Sequence, residues 1–123
     1  MGKENNKPNN IKVGYRDIEI KYSTPDFTTD HLTDCYGIYD NRKGLIEIQK
    51  DLYGQKMVNT FIHEILHAII DISGLNKSGA PLEEDDDEEI VVHQMANNFL
   101  SVCRDNDWFL DYIKENIKKI KND

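Results

Sequence analysis

The sequence predicts an α+β domain in which a small, antiparallel-rich sheet of hairpins precedes three helices. Two observations carry this. Apolar and polar residues alternate between Ile11 and Gln49, the two-residue period of half-buried strands. From Gly54 onward the apolar residues recur every three or four positions, the period of helices. Strands gathered ahead of the helices, instead of alternating with them, define the α+β order. The 123 residues suit one domain with a single modest core, expected over residues 11–121. The polar stretch 1–10 is expected to be a disordered tail.

In the first predicted hairpin, Ile11 and Val13 lead through Gly14-Tyr15-Arg16-Asp17 to Ile18, Ile20 and Tyr22. A polar connection over 23–34 follows, with Pro25. The second hairpin joins Cys35–Tyr39 to Gly44–Gln49 through Asp40-Asn41-Arg42-Lys43. In its return strand Ile46 and Ile48 share one face, while Leu45, Glu47 and Gln49 share the other. A long helix with Val58, Phe61, Ile62, Ile65, Leu66, Ile69 and Ile72 runs to Gly74, a residue suited to a left-handed C-cap. After a loop with Gly79 and Pro81, a second helix is expected from about Asp87 to Arg104, burying Val92, Met95, Ala96, Phe99, Val102 and Cys103. Asn106 or Asp107 caps a third, through Lys121, with Phe109, Ile113, Ile117 and Ile120 in register. Trp108 is expected in the core.

Composition narrows the function. The net charge of −8 and pI near 4.9 argue against nucleic-acid binding, which needs a basic face. No apolar run reaches membrane-spanning length, and residues 1–10 lack a signal-peptide core. Cys35 and Cys103 form no C-x-x-C pair and read as free thiols, so a cytoplasmic setting is expected. The run Glu83–Glu89 reads as a solvated approach to the second helix, where acidic side chains suit the positive end of the helix dipole. It lacks the ligand spacing of a calcium loop.

The chemistry concentrates in His63-Glu64-Ile65-Leu66-His67, an H-E-x-x-H motif inside the first helix. Histidines at i and i+4 lie one above the other on a helix face, so both imidazoles reach one ion. Glu64 projects beside the metal and takes a proton from metal-bound water, the general-base role in zinc-dependent peptide hydrolysis. Thr60, His63, Glu64, His67 and Asp71 share the narrow polar stripe left by the apolar face, and no lysine or arginine falls between Phe61 and Ile70. Catalytic zinc sites use three protein ligands. Helical-face reasoning makes Glu89 the leading third ligand, with His93 and Glu88 as alternatives, because each falls near the stripe of Val92 and Ala96. Asp71 is a candidate for orienting a ligand histidine. His31 is expected to be solvated.

From the opening strand Ile11–Tyr15, through Tyr36–Asp40, Leu45–Gln49 and Asn59–His67, to Glu88–Val92, Met95-Ala96-Asn97 and Arg104-Asp105-Asn106, the chain resembles short phage and prophage zinc metallopeptidases related to the ImmA/IrrE group. The resemblance implies a compact zincin-like fold, with His63 and His67 as zinc ligands, Glu64 as base and Glu89 as third ligand. It also implies a protein or peptide substrate and a regulatory role such as cutting a repressor. In better-known relatives a glutamate stands three residues before the alanine of the Ala-Asn pair, where this chain has His93. An extended substrate is expected to pair with a sheet edge, nominally Leu45–Gln49, and Tyr36 or Tyr39 to stabilise the oxyanion. The competing expectation is a non-catalytic zinc module that binds a partner, with both Glu89 and His93 closing a four-ligand site.

Overall fold

The computed structural model describes residues 7–24 and 36–119. Strands β1 (Asn10–Val13) and β2 (Arg16–Ser23) form the first hairpin, paired antiparallel from Asn10 opposite Glu19 to Val13 opposite Arg16. Its turn is tighter than expected, with only Gly14 and Tyr15 between the strands. Gly14 sits at φ 60°, where an L side chain is strained, which permits so short a connection. Strands β3 (Gly37–Asp40) and β4 (Leu45–Gln49) form the second hairpin. Asp40 Oδ1 accepts the backbone N–H groups of Arg42 and Lys43 at 3.0 and 3.2 Å, closing the turn with a side chain.

The two hairpins join through a parallel β2–β4 pair, so the sheet is mixed, in the order β1-β2-β4-β3. In this register Ile20 lies beside Ile46 and Tyr22 beside Ile48. The alternation therefore delivers Ile18, Ile20, Ile46 and Ile48 to one buried face, as their spacing predicts. Helix α1 (Gly54–Ser73) lies on that face, with Ala68 completing the core and Phe61, Ile65 and Ile72 packed against it. Each isoleucine so buried contributes about 1.5–3 kcal/mol. Gly74 ends α1 in the left-handed conformation (φ 81°), and Leu75 N–H reaches back to the Ile70 carbonyl.

Helix α2 (Asp85–Asp105) runs antiparallel along α1, starting two residues earlier than expected, and α3 (Phe109–Ile117) follows. α3 ends at Ile117, short of the expected Lys121, which itself lies outside the described residues, and its N-cap is Trp108 instead of Asn106 or Asp107. Two expectations are corrected here. Of the apolar set assigned to the interior of α2, only Val92 and Ala96 are fully buried, while Met95, Phe99 and Val102 are exposed. Trp108 is also exposed, at 61%. The reason is layering: α2 buries only one narrow stripe against α1, and α3 adds little beyond the edge-to-face contact of Phe109 with Phe99. His31, Cys35 and most of the tail 1–10 fall outside the described residues. Within 7–10, Tyr22 Oη donates to the Pro8 carbonyl at 2.7 Å and Ile20 N–H to that of Asn9 at 3.0 Å. No helix among the described residues is long and apolar enough to cross a membrane.

Candidate metal centre

One helical turn separates His63 from His67, and their ring centroids stand 5.0 Å apart on the side of α1 that faces α2. The antiparallel arrangement sets the rest. Asn97 accepts from Asn59 at 2.8 Å farther along the pair, so the first turn of α2 arrives opposite the motif. Glu89 then spans both imidazoles, with Oε2 2.9 Å from His63 Nε2 and Oε1 3.2 Å from His67 Nε2. One ligand atom from each of His63, His67 and Glu89 lies within 4.8 Å of the others. The structure thus brings together the three residues favoured from sequence.

The two alternatives occupy different places. Glu88 Oε2 contacts His67 Nδ1 at 2.7 Å, on the opposite ring edge from Glu89, while its Oε1 accepts from Asn76 Nδ2 at 3.1 Å. His93 stands outside the three-residue group: its ring centroid is 6.5 Å from that of His63, and its Nε2 meets Asn97 Nδ2 at 3.2 Å. Asp71, considered as the carboxylate orienting a histidine, is engaged elsewhere. It accepts from Tyr39 Oη at 2.9 Å and Lys77 Nζ at 3.2 Å, and these partners hold its carboxyl below the usual range against the effect of its burial. Glu88 takes the orienting position instead. The sequence marks it only as a candidate ligand, and spacing alone cannot separate these roles, because adjacent residues on a helix differ by 100° whatever they face.

The donor set fits a cation. His67 presents one nitrogen to each of two carboxylates, but a neutral imidazole carries a single N–H. If Nδ1–H donates to Glu88, Nε2 turns a lone pair toward a Glu89 oxygen, a repulsive contact that a cation between them converts into two bonds. Burial lowers the pKa of His63, favouring the neutral, ligating form, although Glu89 opposes the shift. Two imidazoles and one carboxylate make a set suited to zinc, and three protein donors leave a position for water. Fixing the His67 tautomer through Glu88 is the arrangement that orients metal-bound histidines.

Glu64 is 6% exposed, and burial pushes its carboxyl up to about 7, with Glu89 adding to the effect and His67 opposing it. β3 closes over it. A Cβ on Gly37 would stand 2.8 Å from Thr60 Cγ2 and 3.1 Å from Glu64 Cγ, so glycine is what lets the strand approach α1 this closely. No sequence signal marked Gly37, because the approach depends on how the second hairpin docks.

A cleft of about 910 Å³ holds the centre, bounded by Tyr36–Tyr39 of the β3 side, by Asn59 and Thr60 of α1, and by Asp85 and Asp86 of α2. β4, nominated for pairing with a substrate, is flanked by β2 and β3 and has no open edge, so that expectation is corrected. Among the described residues β3 is the sheet edge beside the cleft. Of the two tyrosines considered as oxyanion donors, Tyr39 is committed to Asp71. Burial and that hydrogen bond push its hydroxyl up to about 12. The Tyr36 hydroxyl accepts from Lys56 Nζ at 3.4 Å and keeps its own proton to donate.

No family model, curated protein or solved structure matches this chain.

Proposed function

We propose that this chain is a zincin-like, zinc-dependent metallopeptidase of the type its motif resembles, the ImmA/IrrE group, acting in the cytoplasm on a protein or peptide substrate. The observation that carries the reading is Glu89 bridging the Nε2 atoms of His63 and His67 beside a buried Glu64. Those three residues would hold the ion. Zinc bound there supplies a Lewis acid that acidifies a water and polarises the scissile carbonyl.

The remaining work belongs to side chains. Glu64, buried beside the two histidines, accepts a proton from the attacking water and returns it to the leaving amine. Glu88 holds the His67 ring through Nδ1, and Tyr36 offers a hydroxyl to the developing oxyanion. An extended substrate pairs along β3, beside which the cleft opens. The three-donor set, with His93 outside it, supports a catalytic centre with an open position over a closed structural site.

The test is zinc content and peptide cleavage on the same preparations. Wild type should carry about one zinc per chain, lost in His67→Ala and in Glu89→Ala. Glu64→Gln should retain the metal and lose cleavage by roughly 100- to 10,000-fold. A wild type that takes up no zinc when supplied with it ends this reading. Equal cleavage by Glu64→Gln removes Glu64 from its role.

A further inference from the structure

Asp85 and Asp86 stand four and three residues before Glu89, so all three share one face of α2, the face that borders the cleft. Glu84 and Asp87 are acidic as well, but they fall on the other side of the helix and outside the cleft lining. The direction of α2 fixes which end of the cleft the pair occupies. Asn97 meets Asn59 and Glu88 meets Asn76, so α2 begins beside the end of α1 that carries Asp71. β3 leads to the same end, since Gly37 stands against Thr60 and Glu64 whereas Tyr39 reaches Asp71.

The charge at that end is unanswered. No lysine or arginine among the described residues lines the cleft. Asp71 is matched by Lys77 at 3.2 Å and Arg16 at 4.0 Å, and Glu88 and Glu89 face the histidines. The side chains of Asp85 and Asp86 have no ion pair or hydrogen bond among the described residues. Lys56 lies over the Tyr36 ring, at the opposite end. Acidic side chains in a first helical turn are commonplace, because the helix dipole favours them. A separate observation marks this cleft as a place that takes a ligand. Glu64 lines it, is only 6% exposed, and has no hydrogen-bond partner among the described residues. A buried carboxyl ordinarily has its partner, so one left bare toward a cleft is met by what binds there.

We propose that the cleft selects substrates by a lysine or arginine beside the scissile bond, held by Asp85 and Asp86. This rests on the peptidase reading for the bond that is cut; the recognition belongs to the two carboxylates. An extended peptide along β3 that passes Glu64 carries its next side chains toward the first turn of α2. A long basic side chain spans the remaining distance on its flexible stem. Because the free carboxylates lie at one end only, the preference falls on one side of the bond, and an acidic side chain there is rejected by like charge.

Binding is measured by fluorescence anisotropy on full-length Glu64→Gln supplied with zinc, which suppresses turnover. The probes are labelled alanine-based peptides that differ only in a central arginine or glutamate. The arginine peptide should bind about tenfold more tightly, and the gap should narrow at high salt. Asp85→Asn/Asp86→Asn should close the gap. Glu84→Gln/Asp87→Asn, which removes the same charge from the opposite side of α2, should leave it open. No binding of the arginine peptide, equal binding of both, or equal loss in the two double variants overturns the proposal. Cleavage of a mixed peptide library by wild type is read separately by mass spectrometry. Lysine and arginine should be enriched on one side of the cut bonds, and cuts without that enrichment overturn the proposal while the peptidase reading stands. Discrimination between the two probes with no cleavage of any peptide ends the peptidase reading and leaves a site for basic peptides.

Discussion

The two walls of the cleft are built differently. α1 and the sheet form one, where Ile18, Ile46, Ile48 and Ala68 are completely shielded and the motif is fixed by the packing beneath it. α2 forms the other: Val92 and Ala96 are its only fully buried residues, and Glu89, which it brings to the centre, is exposed. His63, His67 and Glu64 thus sit on the densely packed wall, and the bridging Glu89 on the lightly held one. The contrast teaches that the donor set is completed by docking: the α1 half is present once the sheet and α1 have packed, whereas Glu88 and Glu89 arrive only when α2 settles against it.

The largest expected effect separates the walls by stability. Ile46→Ala should cost about 2–5 kcal/mol, whereas Ile90→Ala, on the exposed side of α2, should cost about 0.5 kcal/mol or less. Urea unfolding of both variants measures the difference, and equal losses would erase the contrast.

A pH experiment probes the buried side further. In the metal-free protein Glu64 titrates near 7 when folded and near its ordinary value of 4.5 when unfolded. The native state therefore binds more protons between those values, so this group's contribution to stability falls as pH rises through that window. Above it the penalty is full, about 3 kcal/mol. Glu64→Gln should accordingly raise the melting temperature in chelator at pH 8 and change it far less at pH 5. A pH-independent effect would show that the carboxyl is not held in its neutral form.

The smallest effect sharpens the role of the second wall. Glu88→Gln should lower zinc affinity by roughly ten- to a hundredfold, because the His67 ring loses its charged partner while all three ligands stay. Asp87→Asn, one residue earlier and outside the cleft lining, should leave affinity unchanged. Loss of zinc as complete as in Glu89→Ala would make Glu88 a ligand as well.

How much of this was legible beforehand follows the same division. The alternation of Ile18, Ile20, Ile46 and Ile48 and the C-cap at Gly74 could be read directly, because each is a local period or a single-residue conformational demand. The pairing of the two hairpins could not, since the parallel β2–β4 register joins residues some 26 positions apart, Glu19 with Leu45, and leaves no local signature. Met95, Phe99 and Trp108 misled for a related reason: an apolar stripe says that a face wants cover without saying that this chain supplies it.

By itself the sequence determined the geometry of the motif. The spacing of His63 and His67 puts two imidazoles on one helix face wherever that helix goes, and a glutamate beside the first is carried along with them. Only the tertiary structure decided that Glu89 bridges the pair, that Glu88 sits on the other edge of His67, and that Gly37 lets β3 close over Glu64. Those depend on where one element docks on another. Adjacent acidic residues such as Glu88 and Glu89 are equivalent in composition and local propensity, and only the rotation of α2 against α1 distinguishes them.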